Sequence, residues 1–221
     1  MEQFVAVLRR ALTLDEGAWR EIRENSSFTA FVAGLAVIAV VLAGIGAYLW
    51  GEITVDYSTP DGWFVDTVIL GSLFTMLLML LGMVVAYLVL TQLYGESLAP
   101  DALFRVFGVA VVPFALGFLM FVPELNFWLA MMSVSLMFFF SVYGLRAAFS
   151  IDMFRAFAAV CAGFAVFLIV MALLIGYDNR WTPGVFVLEN LEDSATKSYG
   201  SDYNPNDINL DDLFPTETSG D

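Results

Sequence analysis

At three places along the chain, an acidic residue precedes an arginine by three or four positions. These pairs are Glu16 with Arg20, Asp101 with Arg105, and Asp152 with Arg155. Residues at this spacing lie on the same face of a helix, so each pair can form an ion pair. Arginines held in this way near a membrane can also contact anionic lipid headgroups.

Each of these segments also carries a helix-start signal and an aromatic residue directly before the arginine. The helix-start residues are Thr13, Pro100 and Ser150, and the aromatic residues are Trp19, Phe104 and Phe154. The simpler interpretation is that local ion pairs fix three helix ends at a membrane surface. The alternative is a collar that docks anionic headgroups or a cytosolic partner, with Arg20, Arg105 and Arg155 as the contact residues.

The residue types needed for most catalytic and metal chemistry are scarce. The chain has no histidine, and its single cysteine, Cys161, lies in an apolar run. These counts exclude a disulfide within the chain, a histidine-dependent triad and most zinc sites. With 23 acidic residues against 9 basic ones, the chain has no basic patch for nucleic acid. We therefore expect no enzyme activity, no cofactor and no nucleic-acid partner.

One weak metal signal lies near the C-terminus. Asp202, Asn204 and Asn206 occupy the first, third and fifth positions of a loop that resembles a calcium-binding EF-hand loop. The sixth position, normally glycine, is Asp207, and the twelfth is Leu213 where a bidentate acid is required. A solvated acidic tail is therefore the favoured interpretation.

The elements that must position these residues are apolar helices. Hydrophobic residues make up 60% of the chain and charged residues only 14%, whereas a soluble domain is about 25% charged. Five apolar runs are long enough to cross the roughly 30 Å of a bilayer's hydrocarbon core. They are residues 28–50, 67–90, 106–122, 127–145 and 156–177. The predicted fold is an all-α integral membrane protein, with a five-helix transmembrane bundle over residues 28–177.

Two features of the runs bear on helix geometry. Pro113, in the middle of the third run, predicts a helix kink because proline removes a backbone hydrogen bond. A hinge or gate at this residue is the functional alternative. Ala39, Ala43 and Ala47 repeat at four-residue spacing, which favours close helix packing inside the bundle.

Different segments flank the bundle. Residues 1–27 predict short interfacial helices, because Phe4, Leu8 and Ala11 share one helical face. Thr13 and Glu16 have the spacing of a capping box at the start of the second of these helices. Residues 178–221 form an acidic tail with little hydrophobic content, which is typical of a disordered or loosely ordered segment.

The arginines predict the orientation. Seven of them flank the first run or lie in the second and fourth connections, whereas the opposite side has only Arg180 and Lys197. Positive residues concentrate on the cytoplasmic side. We therefore expect a cell-membrane protein with a cytoplasmic N-terminus and, after an odd number of spans, an extracellular C-terminus.

The overall charge of −14, with Lys197 as the only lysine, favours an extreme halophile, in particular a halophilic archaeon. The alternative is an ordinary bacterial protein with an acidic tail.

Three stretches resemble the Yip domain family, which is named for its interaction with Ypt/Rab GTPases. They are residues 13–24 before the first run, residues 95–113 with Phe104, Arg105 and Pro113, and residues 143–156 with Tyr143 and Gly144. The resemblance covers about residues 10–176 and implies five spans and a cytoplasmic N-terminus. It also implies a role in membrane organisation without catalytic residues. The chain departs from eukaryotic members in lacking a long N-terminal region and in adding the acidic tail.

The expected function is a non-enzymatic membrane scaffold or interaction protein. Its expected partners are the lipid bilayer and a cytosolic protein, a membrane protein or a second copy of the chain. The alternative is a small transporter or channel subunit for neutral or hydrophobic solutes. A continuous polar path through the bundle would favour that alternative.

Overall fold

The computed structural model describes residues 2–54, 63–122 and 125–175, and within these ranges the chain is helical and has no strand. The predicted acidic tail, its candidate calcium residues and residues 123–124 lie outside the described ranges. The α-helices are α1 (Glu2–Leu12), α2 (Glu16–Glu24), α3 (Thr29–Thr54), α4 (Gly71–Leu88), α5 (Pro100–Ala110), α6 (Asn126–Phe149) and α7 (Met153–Ile175).

Five helical stretches are long and apolar enough to cross a membrane, as the sequence predicts. They are Ser26–Ile53, Val65–Leu93, Pro100–Phe121, Asn126–Phe149 and Met153–Val170. The third begins at Pro100, six residues before the predicted boundary, because Pro100 takes the first helical position and Asp101 lies in the first turn. We call these stretches spans 1 to 5.

The third span changes its helix type at Pro113. Helix α5 ends at Ala110, and a 3₁₀ helix then runs over Val112–Phe121. Pro113 has no N–H to donate to the carbonyl four residues earlier, and the Phe114 amide donates instead to the Val111 carbonyl, at 2.8 Å. The predicted kink therefore takes the form of a change from α to 3₁₀ geometry.

The 3₁₀ helix packs closely against α3. A Cβ atom built on Gly46 of α3 would lie 2.2 Å from the Gly117 carbonyl oxygen, and one built on Gly117 would lie 2.9 Å from the Ala43 Cβ. Ala39, Ala43 and Ala47 are buried on this helix. The small-residue repeat thus serves packing inside the bundle, as predicted.

Spans 2 and 5 meet at a second pair of glycines. A Cβ on Gly163 of α7 would lie 2.4 Å from the Gly82 carbonyl oxygen of α4. Short π-helical segments, Val65–Leu70 and Val89–Leu93, flank α4 within span 2. Nothing in the sequence analysis anticipated these segments.

Helices α1 and α2 form a hairpin that packs on one end of the bundle. Phe4, Val7 and Ala11 of α1 are buried, and so are Trp19 and Ile22 of α2. They share one apolar cluster with residues of α3, α5 and α6. The amphipathic helices predicted for residues 1–27 are therefore present and docked onto the spans.

The predicted capping box is wrong. Asp15 caps α2, because its side chain accepts a hydrogen bond from the Gly17 amide at 2.8 Å. The Thr13 hydroxyl instead donates to the Arg10 carbonyl, at the end of α1, at 2.9 Å. The cap lies at Asp15 and not at Thr13 because Leu14, with a φ of 65°, makes the turn between the two helices.

Candidate functional site

All seven arginines of the described residues lie at the end of the bundle that carries the α1–α2 hairpin. This follows from the chain order, since they occur on the hairpin, at the start of span 3, and where span 4 ends and span 5 begins. The residues are Arg9, Arg10, Arg20, Arg23, Arg105, Arg146 and Arg155. We call this region the arginine end.

Arg105 lies inside the arginine end. Its side chain is 4% exposed, and its Nε donates to the Ile22 carbonyl of α2 at 3.0 Å. Its Nη2 donates to the Arg23 carbonyl, and its Nη1 donates to Thr29 Oγ1 at 3.2 Å and to Asp101 Oδ2 at 2.9 Å. The last carbonyls of a helix lack partners within the helix. Arg105 therefore caps the C-terminus of α2 from the neighbouring span.

Arg23 caps the C-terminus of α6 in the same way. Its Nη1 donates to the Ala148 carbonyl, in the last turn of α6, at 2.8 Å. Its guanidinium also lies over the Phe149 ring, 5.8 Å from the ring centroid. A positive charge at a helix C-terminus is favourable because it complements the helix dipole. The two arginines thus join α5 to α2 and α2 to α6.

Trp19 fixes the hairpin against α6. The side chain is fully buried, and its Nε1 donates to the Ala11 carbonyl of α1 at 3.1 Å. The indole lies against Gly144, where an added Cβ would come within 2.6 Å of the ring. The Tyr143 hydroxyl donates to the carbonyl of Leu14 in the hairpin turn. The hairpin is therefore packed closely against α6 at the arginine end.

We expect Gly144→Val to displace the hairpin, because the new side chain occupies the position of the Trp19 ring. Overpacking of this kind costs about 1–3 kcal/mol. Limited trypsin digestion at Arg20 and Arg23 of the purified protein should become faster. Trp19→Phe in the Gly144→Val background should restore part of the protection, since the smaller ring makes room. Equal digestion of the wild type and Gly144→Val would contradict this contact.

Of the three predicted ion pairs, two are present. Arg20 Nη2 lies 3.2 Å from Glu16 Oε2, and Arg105 pairs with Asp101 as described. The third is wrong: Asp152 caps α7 by accepting from the Phe154 amide at 2.9 Å. Arg155 instead pairs with Glu96 at 2.7 Å. Because the Asp152 carboxylate accepts the hydrogen bond at the start of α7, Arg155 forms its ion pair with Glu96, which is distant in sequence.

Three exposed arginines of the arginine end pair with carboxylates, whereas Arg105 and Arg23 also donate to backbone carbonyls. Arg20, Arg146 and Arg155 have side chains about half exposed. Glu16 also pairs with Arg146, at 3.4 Å, and Arg155 lies 5.6 Å from the Tyr94 ring centroid. Together with Arg9 and Arg10, which are also exposed, these three arginines present guanidinium groups at the surface, whereas Arg105 does not. Contact of Arg105 with a lipid or partner stays a prediction, and its burial weighs against it.

The arginine end is nearly neutral as a whole. Eight acidic side chains lie on the same elements as the seven arginines, namely Glu2, Asp15, Glu16, Glu21, Glu24, Glu96, Asp101 and Asp152. The Arg10 guanidinium, 2.7 Å from the Asp15 carboxylate, holds the pKa of Asp15 below its ordinary value, and the Gly17 amide adds to this effect. The surface therefore offers alternating charges and no strongly positive field.

The middle of each span is apolar. The charged residues of the described spans all lie within six residues of a span end, namely Glu52, Asp66, Asp101, Arg105, Arg146 and Arg155. The hydroxyls of Thr75, Ser133 and Ser141 are buried and donate to carbonyls in their own helices at 2.8 Å. Intramembrane charge is the usual mark of an ion or proton path. The described spans therefore offer no charged pathway.

One cavity lies among the spans. Its volume is about 210 Å³, and all five spans contribute to its lining, which is apolar except for Ser141. The principal lining residues are Ala36, Met79, Gly82, Phe107, Met137 and Phe164.

The described residues hold no cluster of acidic, histidine or cysteine side chains that could bind a metal ion. The candidate calcium residues Asp202, Asn204 and Asn206 lie outside the described ranges, so that hypothesis stays a prediction. Cys161 lies within α7 with a partly buried side chain. The features of the site are thus the arginine end, with its alternating charges, and the apolar cavity. No protein-family model matches the chain, and no curated protein or solved structure matches it.

Proposed function

We propose that this protein is a non-enzymatic membrane scaffold that docks a partner at its arginine end. The observation that carries the proposal is the well-packed α1–α2 hairpin, which Arg105 joins to span 3 and which Arg23 and Trp19 join to span 4. A surface held in this way keeps its shape, which lowers the entropic cost of binding.

The chemistry of this surface favours a protein partner. Each exposed guanidinium of Arg20, Arg146 and Arg155 already has a carboxylate partner within the chain. Anionic lipid is attracted by unneutralised basic clusters, whereas alternating charges suit a partner surface with complementary charges. A cytosolic protein, another membrane protein or a second copy of the chain would meet this requirement.

The proposal also includes the orientation of the chain in the membrane and its resemblance to the Yip domain family. With its arginine end on the cytoplasmic face of the cell membrane, the chain follows the positive-inside rule. The Yip-like stretches coincide with the hairpin and its receptor: Trp19 lies in the first stretch, Arg105 in the second, and Gly144 in the third. The N-terminus is then cytoplasmic and the acidic C-terminal tail extracellular.

The alternative is a transporter or channel subunit. Transport of neutral polar solutes needs a continuous polar path, and the lining of the cavity is apolar. A carrier of hydrophobic solutes is consistent with that lining. Uptake of a solute by vesicles that contain the purified protein, absent from protein-free vesicles, would favour this alternative.

The test of the scaffold proposal is crosslinking in native membranes. We expect the wild-type chain to give defined protein crosslinks from the arginine end. The triple variant Arg20→Gln, Arg146→Gln, Arg155→Gln should lower their yield by about tenfold, because each lost charge contact is worth about 0.5–1 kcal/mol. Arg105 is left in place, since its loss would disturb the hairpin itself.

The matched control removes the acidic partners instead. Glu16→Gln with Glu96→Gln breaks the same internal ion pairs but keeps the three guanidinium groups, so partner yield should not fall. Arg9, Arg10 and Arg23 remain in both variants and preserve the charge bias. Labelling of a Ser219→Cys, Cys161→Ala chain from outside intact cells checks the topology. Unchanged crosslinks in the arginine variant would overturn docking at this surface.

A further inference from the structure

The apolar cavity among the spans opens toward the outer surface of the bundle. Val37 of α3 and Leu80 of α4 both line it, and both are exposed, by 43% and 41%. The two helices touch farther from the arginine end, where Gly44 lies against Ser72 and Val68. The opening therefore lies between α3 and α4, partway along spans 1 and 2.

The position of this opening along the spans determines which medium surrounds it. The residues at its mouth lie well inside the apolar spans Ser26–Ile53 and Val65–Leu93. For a chain that crosses a bilayer, the medium at that depth is hydrocarbon, with no water to fill a pocket. Only a hydrocarbon chain or an apolar side chain can reach the opening.

The interior of the cavity fits such an occupant. Its one polar lining residue, Ser141, donates its hydroxyl to the Met137 carbonyl and so has no free donor for a ligand. Its volume of about 210 Å³ exceeds the roughly 150 Å³ of an apolar cavity that stays dry and binds benzene. Methionines 76, 79 and 83 of α4 supply flexible walls that adapt to an irregular chain.

We propose that this cavity binds one hydrocarbon chain of a membrane lipid, inserted sideways between α3 and α4. The headgroup stays outside, since nothing polar in the cavity could replace its hydration. The lipid then fills a gap in the packing of five spans and acts as a structural ligand. This inference does not depend on the docking partner of the arginine end.

The test uses the full chain in nanodiscs made with a phospholipid that carries a diazirine at the middle of one acyl chain. After illumination, we expect mass spectrometry to find lipid adducts concentrated on residues 33–40 of α3 and 76–83 of α4. Ala36→Phe, which fills the cavity, should lower these adducts by about tenfold, because the chain loses at least 1.4 kcal/mol of contact. Ala30→Phe is the matched control, since Ala30 is exposed on the same helix and does not line the cavity.

Four outcomes would overturn the proposal. Adducts could spread evenly over outward-facing residues such as Leu73 and Leu77, or survive unchanged in Ala36→Phe. A dimer of the chain in native mass spectrometry, with no lipid adducts at the mouth, would identify a second copy as the occupant. Native mass spectrometry of the wild type counts the lipids that stay bound, and this result does not depend on whether any variant folds. One lipid retained after detergent exchange supports the proposal, and none retained contradicts it.

Discussion

Arg105→Met is expected to release the α1–α2 hairpin from the bundle. The methionine fills the same apolar space, but the carbonyls of Ile22 and Arg23 lose their donors. A buried carbonyl without a partner costs about 1–3 kcal/mol. Together the two losses should destabilise the hairpin by about 3 kcal/mol or more. Hydrogen exchange of the α2 amides in nanodiscs should become faster by about a hundredfold.

Two further variants separate the possible causes. Arg105→Lys keeps the charge but cannot donate from a planar fork to several acceptors at once, so it should resemble Arg105→Met. Asp101→Asn removes only the ion pair of a side chain that is 63% exposed, so it should leave the exchange rates of the α2 amides nearly unchanged. Slow exchange in Arg105→Met, or equal effects of Asp101→Asn, would show that Arg105 does not cap α2.

Gly46→Ala is expected to force α3 and the 3₁₀ helix apart. The added methyl would lie 2.2 Å from the Gly117 carbonyl oxygen and 2.7 Å from the Phe118 Cα. These neighbours are backbone atoms, so no rotation of a side chain can relieve the contact. We expect a loss of about 3 kcal/mol, at the upper end of the range for overpacked sites. Thermal unfolding in detergent micelles, followed by circular dichroism, would measure it.

Gly34→Ala provides the control on the same helix. Nothing lies within 4 Å of a Cβ at that position, and alanine has a higher helix propensity than glycine. This variant should unfold at the same temperature as the wild type or slightly above it. Similar unfolding temperatures for Gly34→Ala and Gly46→Ala would show that the close approach at Gly46 is not required.

The five spans and the amphipathic N-terminal helices could be predicted because hydrophobic run length and helical periodicity report directly on burial. The ion pairs between residues four apart followed equally from local spacing. Arg155 and Glu96 are 59 positions apart, so local spacing could not reveal their contact. The capping box failed for a related reason, since the spacing of Thr13 and Glu16 says nothing about the turn that Leu14 makes.

The role of Arg105 was the least accessible to sequence reasoning. An arginine beside an aromatic residue at a predicted span end looks like a surface residue. It is buried because the hairpin, 80 residues earlier, folds over it and presents two carbonyls. Gly144 carried a usable signal: glycine inside a helical run costs roughly 1 kcal/mol relative to alanine, which indicates that a close neighbour requires it. That neighbour is Trp19.

The 3₁₀ helix after Pro113 alters how far the third span can reach. A 3₁₀ helix rises about 2.0 Å per residue and an α-helix about 1.5 Å. The ten residues of Val112–Phe121 therefore extend about 20 Å, where an α-helix would extend about 15 Å. Hydrophobic mismatch between a helix and its bilayer costs fractions of a kcal/mol per Å. For a chain that crosses a bilayer, the 3₁₀ segment thus extends the reach of the third span, Pro100–Phe121, by about 5 Å beyond that of an α-helix with the same number of residues.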